Sequence, residues 1–290
     1  MLKQTTLLLL LISLSAATAQ NLPIRKTLET TTRSIRLDVP MTNTIRKAFQ
    51  AGTRDFSGKP GPNYWQLEAD YTIQASLDPT TQTITGSEKI SLHNHSKDDL
   101  KTIVLRLDHN LFRPEAQRGA SVPAEATDGM VLTSLKVAGQ VADLKVAPTM
   151  GRPGVVGNAT SAKVSISGLT QTIATINLTE PIKAGTTAEL DIEWHTKLPG
   201  GPNGRGHRMT QRFDSKLFQP TQWYPRLAKY DDLRGWETSP YLGPSEFYNN
   251  FGKFDVRITV PGGWIVSGTG LLQNPNEVLT ATARQRLSTV

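Results

Sequence analysis

Cysteine is absent from the 290 residues. That excludes a disulfide-stapled scaffold, a thiolate metal site and a cysteine nucleophile. Long apolar runs are missing too: beyond Leu7 to Leu14 no stretch approaches the roughly 18 residues a membrane-spanning helix needs. Dense runs of one charge are also lacking, because the 32 Lys+Arg and 25 Asp+Glu that give a net +7 are scattered along the chain. A phosphate-tracking surface requires clustering, so no nucleic-acid partner is expected and a solvated basic surface is the better reading. With 37% hydrophobic residues, 23 Gly and 20% charged residues, the composition is that of a packed chain, not a disordered one. A chain of this length buries roughly 75% of its unfolded surface, enough for a core without staples. Length alone allows one large β domain or two smaller ones.

The first residues look like an address. Lys3 precedes the apolar run Leu7 to Leu14, and small residues lead to Ala17-Thr18-Ala19. A basic start, a short apolar stretch and an A-x-A site predict a signal peptide over residues 1–19, cleaved after Ala19. The chain is thus expected to be exported, periplasmic or secreted, with no membrane span after cleavage. Residues 20–62 are polar and Thr-rich, with one short helix predicted from Thr44 to Ala51 and a turn-rich Gly58-Lys59-Pro60-Gly61-Pro62. They are expected to form an N-terminal arm or linker, of which Asn21 to Val39 reads equally as a disordered tail. The folded domain is then 63–290.

That domain counts in twos. From Trp65 to Leu77 every odd residue is apolar (Trp65, Leu67, Ala69, Tyr71, Ile73, Ala75, Leu77) and every even one is polar. No helix buries that set, so a strand with one buried face is predicted. Asp78-Pro79-Thr80-Thr81 supplies a turn, and Thr83 to Leu92 resumes as a hairpin partner in which Gly86 suggests a bulge. Alternation returns at Ile103, Leu105 and Leu107; at Val131, Thr133, Leu135 and Val137, which share a parity; and at Val164 and Ile166. It continues from Ile173 to Leu178, at Leu190, Ile192 and Trp194, and at Phe254, Val256, Ile258 and Val260. Eight or more strands joined by short polar turns predict an all-β architecture, an antiparallel saddle or β-sandwich. Two segments break the rhythm. Leu198 to Arg208, rich in Gly and Pro, is expected to be a surface loop. Phe218 to Tyr248 is dense in Trp, Tyr, Phe and Pro and suits a packed irregular core segment better than an aromatic binding surface.

Catalytic motifs are absent. None of the five His (His93, His95, His109, His195, His207) belongs to an H-E-x-x-H pair. There is no nucleophile elbow, phosphate loop or dinucleotide fingerprint. His93 and His95 share a strand face but, with no acidic partner in sequence, read as surface residues. Asp231 and Asp232 are neighbours that point to opposite faces of an extended chain, and Asp98-Asp99 reads as a solvated turn. Asn94, Asn158 and Asn177 each open an N-x-[ST] sequon.

Two long stretches carry a resemblance. Gly58 to Phe112, from G-K-P-G-P-N-Y-W-Q-L-E-A-D-Y-T-I through T-I-T-G-S-E-K-I-S-L-H-N to L-R-L-D-H-N-L-F, resembles the opening of the N-terminal β domain of aminopeptidase N-like zinc metallopeptidases, the gluzincins. Gln222 to Gly270, with Q-W-Y-P-R-L-A-K-Y-D-D, G-W-E-T-S-P-Y-L-G and F-G-K-F-D-V-R-I-T-V-P, resembles the later part of that domain. The likeness covers nearly all of residues 58–280.

The resemblance implies a saddle-shaped domain leaning on a thermolysin-like catalytic domain. There G-x-M-E-N, H-E-x-x-H and a downstream Glu act on peptide substrates through a zinc ion. The 290 residues contain neither motif, so the catalytic domain is expected as a missing partner and the β domain as incomplete at its C-terminus. Zinc is the cofactor of the parent family and is not expected on this chain, which is predicted to be inactive alone. One role transfers: a Gln or Glu of the N-terminal domain holds the substrate's free amine. It falls on Gln222 in preference to Gln211, each of which reads otherwise as an ordinary strand-edge glutamine. The alternative is an independent secreted β-sandwich module that binds a glycan or a protein.

Overall fold

The computed structural model describes residues 41–57, 59–119, 126–145, 164–200, 209–210, 216–245 and 247–289. The expected signal peptide, the stretch Asn21 to Val39, most of the Gly-rich loop, Gln211 and the Asn158 sequon lie outside them.

The chain enters through α1 (Asn43–Ala51), one residue longer than the pattern predicts. The Thr42 hydroxyl accepts from the Ile45 N–H at 3.4 Å, and Gly52 closes the helix in a left-handed conformation with φ 72°. Each cap satisfies backbone groups that a free helix end leaves orphaned. Backbone bonds from Gly61 to Thr53 and from Asn63 to Gly52 then fold the turn-rich stretch back against the helix end.

In β1 (Glu68–Asp78) the odd residues from Ala69 to Ala75 are buried, and the even ones face outward. The Asp78 carboxylate accepts from Thr80 N and Thr81 Oγ1, both at 2.8 Å, fixing the turn into β2 (Thr83–His93). Gly86 makes no bulge, since its pairings with Ala75 of β1 and Trp194 of β8 (Thr187–Lys197) keep unbroken register. The reason for glycine is steric: a Cβ there would lie 2.5 Å from Cζ2 of Trp194, whose indole leans over this position. The irregularity sits instead in β4 (Met130–Val137), between Leu132 and Ser134. Thr133 is the extra residue, so the buried set changes parity from Met130 and Leu132 to Leu135 and Val137. The single parity expected from Val131 to Val137 is thereby corrected.

The remaining strands are β3 (Leu100–Arg106), β5 (Gln140–Asp143), β6 (Val164–Ser167), β7 (Ile173–Ile182), β9 (Arg226–Leu227), β10 (Tyr230–Asp231), β11 (Gly235–Trp236) and β12 (Phe254–Thr259). Of the twelve strands among the described residues, ten form one curled sheet in the order β12-β1-β2-β8-β4-β5-β6-β7-β3-β9, with β10 and β11 as a separate ribbon. It is antiparallel apart from the parallel pairs β1–β12 and β5–β6. The curl brings Leu67, Ile73, Ile90, Leu190 and Trp194 into the same core as Ile103, Leu105, Ala174 and Ile176. The chain is therefore mostly β, a curled mixed sheet around one core.

β3 is buried on both faces near its end, because the aromatic segment crosses it: Trp236 Nε1 donates to Thr102 O at 3.0 Å and Ala228 N to Val104 O at 2.8 Å. The five residues Asp108–Phe112 then form a buried 3-10 turn. At the other end, β12 and the short helices α2 (Pro275–Val278) and α3 (Ala281–Leu287) hold no buried residue. Among the described residues no helix is long and apolar enough to cross a membrane.

Candidate functional site

Gln222 stands where the aromatic segment enters the core, with a backbone φ of 49° that a non-glycine residue rarely adopts. The conformation is held from both sides. His109, on the buried 3-10 turn, donates through Nε2 to Thr221 O at 2.8 Å, and its Nδ1 lies 2.9 Å from the Thr196 hydroxyl. Downstream, Leu227 N donates to the Tyr71 hydroxyl at 3.0 Å and Leu227 pairs with Leu105 of β3. Gln222 is half-buried, and its side-chain amide has no hydrogen-bond partner among the described residues. Gln211 lies outside the described residues.

The rings behind Gln222 form a connected group. Trp223 lies 5.8 Å from Trp194 and 5.1 Å from Tyr224, which meets Tyr71 at 5.8 Å; Phe254 stacks on Tyr71 at 4.8 Å. These centroid separations are in the range of attractive ring pairs. Trp223 and Tyr224 are half-buried and Tyr241 is buried, so much of the segment packs on the core, while Tyr248 stays exposed. Next to these rings sits Glu88, 4% exposed, on the inner face of β2. Neither of its oxygens has a hydrogen-bond partner among the described residues, and burial alone pushes the carboxyl well above the usual carboxylate range. Its charge bears on the phenols of Tyr71 and Tyr224, both of which burial raises.

Ion pairs tether the segment. Asp108, buried, accepts from Arg106 Nε at 3.2 Å and from Arg226, whose guanidinium lies 4.6 Å over the Phe247 ring and also donates to Asn249 at 2.9 Å. Asp232 accepts from Thr53 Oγ1 at 2.6 Å and from Arg54, locking the turn after α1 to the segment. Burial pushes the Asp232 carboxyl up, but the Arg54 and Thr53 hydrogen bonds outweigh it and hold it below its ordinary value. Asp231 faces the other way, accepting from Leu233 N and Arg234 N. Lys229 is buried with its ammonium 5.4 Å from the Tyr248 ring, and burial lowers its pKa.

His93 and His95 do have acidic neighbours, contrary to expectation. His93 Nε2 is 3.2 Å from Asp70 and Nδ1 is 3.0 Å from Thr187 Oγ1, while His95 reaches Glu68 at 3.9 Å. His95 lies beyond the end of β2 and not on a strand face shared with His93, and each imidazole pairs with its own carboxylate of β1. Among the described residues no group of three or more His, Asp or Glu is placed to hold a metal ion. The Asn94 sequon is structural: Asn94 is 1% exposed and its amide donates to the carbonyls of Asp98, Ile182 and Lys183, at 2.8, 3.2 and 3.1 Å. Asp98 receives the Tyr230 hydroxyl at 3.4 Å, and Asp99 pairs with Lys183 at 2.7 Å. Sequence reasoning missed Glu88, His109, Asp108 and Arg226 as determinants of this region.

No protein-family model and no curated protein matches the chain. Among solved structures, it is similar to a two-domain M1 zinc metallopeptidase with bound L-arginine, at 14% identity over 70% of this chain and 35% of that one, with a TM-score of 0.34. It is likewise similar to an M1 zinc metallopeptidase from Deinococcus radiodurans with a bound Tyr-Ser-Ala substrate, at 14% identity, 73% and 38% coverage and a TM-score of 0.33. The chain thus spans little more than a third of the length of either structure.

Proposed function

We propose that this chain is the N-terminal, non-catalytic β domain of an exported aminopeptidase N-like zinc metallopeptidase, which removes N-terminal residues from peptides. The observation that carries the reading is the pair of long ordered stretches, Gly58 to Phe112 and Gln222 to Gly270, that resemble the two ends of that domain. In this reading the uncovered inner face of β12 receives a catalytic domain. The Gln222 amide, braced by His109, accepts a hydrogen bond from the substrate's ammonium, a group that needs an acceptor where water is excluded.

Zinc belongs to the catalytic partner. The described residues of this chain do not fit the ion, since His93 at the end of β2 and His95 just beyond it are each paired with a separate carboxylate and no group of three or more ligands forms. The purified 290-residue chain is accordingly expected to take up no stoichiometric zinc and to leave aminoacyl substrates intact. Stoichiometric zinc together with aminopeptidase turnover would overturn the non-catalytic assignment. The Gln222 role is tested in the whole enzyme: Gln222→Ala is expected to raise KM for free-amine substrates while leaving the zinc content unchanged.

A further inference from the structure

Glu88 is the strongest anomaly in the core. Its Cα neighbours across the sheet are Ile73 and Ile192, and Tyr71 and Trp194 occupy the flanking rows of the same face. Trp223 and Tyr224 lie against those two rings. As a carboxylate Glu88 lacks any donor or counter-charge, and as a neutral acid it lacks an acceptor for its proton, so neither form is satisfied within the described chain. The indole N–H of Trp194 is likewise buried without a partner. Native cores rarely leave such groups unpaired, and a carboxyl is the costliest to leave.

The chemistry that complements a buried carboxyl with aromatic neighbours is an organic cation: the ammonium donates to the carboxylate, and its alkyl hydrogens meet the negative faces of rings. We propose that Glu88 anchors a binding site for an alkylammonium group, with Tyr71, Trp194, Trp223 and Tyr224 as its walls. Tyr71 and Trp194 are buried whereas Trp223 and Tyr224 are half-buried, so the proposal places entry on the side of Trp223 and Tyr224. None of this chemistry depends on the peptidase reading or on Gln222. A lysine side chain and a free amino terminus both carry the group.

The test is a tryptophan-fluorescence titration of the full chain with n-butylammonium chloride, mimicking lysine, and with alaninamide hydrochloride, mimicking an amino terminus. Each is compared with sodium chloride at equal ionic strength. The expected result is a saturable change with at least one cation, weakened about tenfold or more in Glu88→Gln, which keeps the shape and removes the charge. Saturation by n-butylammonium alone identifies a lysine-type ligand, saturation by alaninamide alone an amino terminus, and saturation by both recognition of the ammonium itself. No saturable change with either cation, or an equal response in Glu88→Gln, overturns the proposal. Tyr224→Leu provides a second check, because removing a half-buried wall should weaken binding without unfolding the core, and undiminished affinity there overturns the role of the rings.

Discussion

β1 and β12 lie side by side, and their inner rows are built alike: Tyr71 faces Phe254, Ile73 faces Val256 and Ala75 faces Ile258. Their fates differ. Ile73 and Ala75 are 0% and 7% exposed, whereas Val256 and Ile258 are 40% and 48% exposed. The residue types and the period are the same on both strands, so the difference comes from what lies above them. β1 is roofed by the curled-over half of the sheet and by Tyr224, while β12 is roofed by little beyond the edge of that layer. Alternation specifies which face is apolar; coverage is a tertiary property.

The largest losses are expected where the roof over β1 is densest. Trp194→Ala removes a fully buried indole that fills the space above Gly86 and is expected to cost about 3–5 kcal/mol in urea unfolding. Asp108→Ala strands the Arg106 and Arg226 guanidinium groups in a buried site and should cost about 3–5 kcal/mol. It should also loosen the Gln222 segment, visible as faster amide exchange at Leu227. Gly86→Ala pushes a methyl into the Trp194 ring and is expected to cost about 1–3 kcal/mol, provided the sheet holds the ring in place.

Glu88 sharpens the same contrast through pH. Its folded pKa is raised by burial, while the unfolded chain titrates near the ordinary value of about 4.3. As pH climbs above that value the unfolded chain releases the proton and the folded chain retains it. Stability therefore falls until the raised folded pKa is reached and is level beyond it. Carboxyls with lowered pKa values, such as Asp70 under the Lys253 N–H, act in the opposite sense and only as pH falls below the ordinary range. The difference in unfolding free energy between the wild type and Glu88→Gln should accordingly grow in favour of Gln from pH 5 upward. A difference independent of pH would show that the carboxyl is not held in an apolar site.

Much of this was legible in residues. The parity from Ala69 to Ala75 marked the buried face of β1, and a short helix from Thr44 to Ala51 was readable although its caps, Thr42 and Gly52, were not read. Glu88 was legible but unread: it stands on the parity of Ile84, Ile90 and Leu92, a charge on an apolar face. Gly86 was misread because its function belongs to a residue more than a hundred positions away, and a bulge at Thr133 leaves no signature in a run of β-forming residues. The buried Asn94 shows the same limit, since a sequon records local chemistry and not burial. Nothing in Thr221-Gln222 announces a left-handed backbone, which is imposed by His109 and by the anchoring of Leu227.

The smallest effect is expected on the uncovered strand. Val256→Ser and Ile258→Ser change side chains that are 40% and 48% exposed, so each should cost only about 1 kcal/mol of unfolding free energy, well short of a core truncation. The same changes shrink a contiguous apolar row that includes Phe254, and they should reduce binding of a hydrophobic dye to the native chain. If either serine costs as much as a core truncation, the inner face of β12 is roofed in solution by a part of the chain or by another molecule. The contrast with β1 would then be one of partners and not of burial.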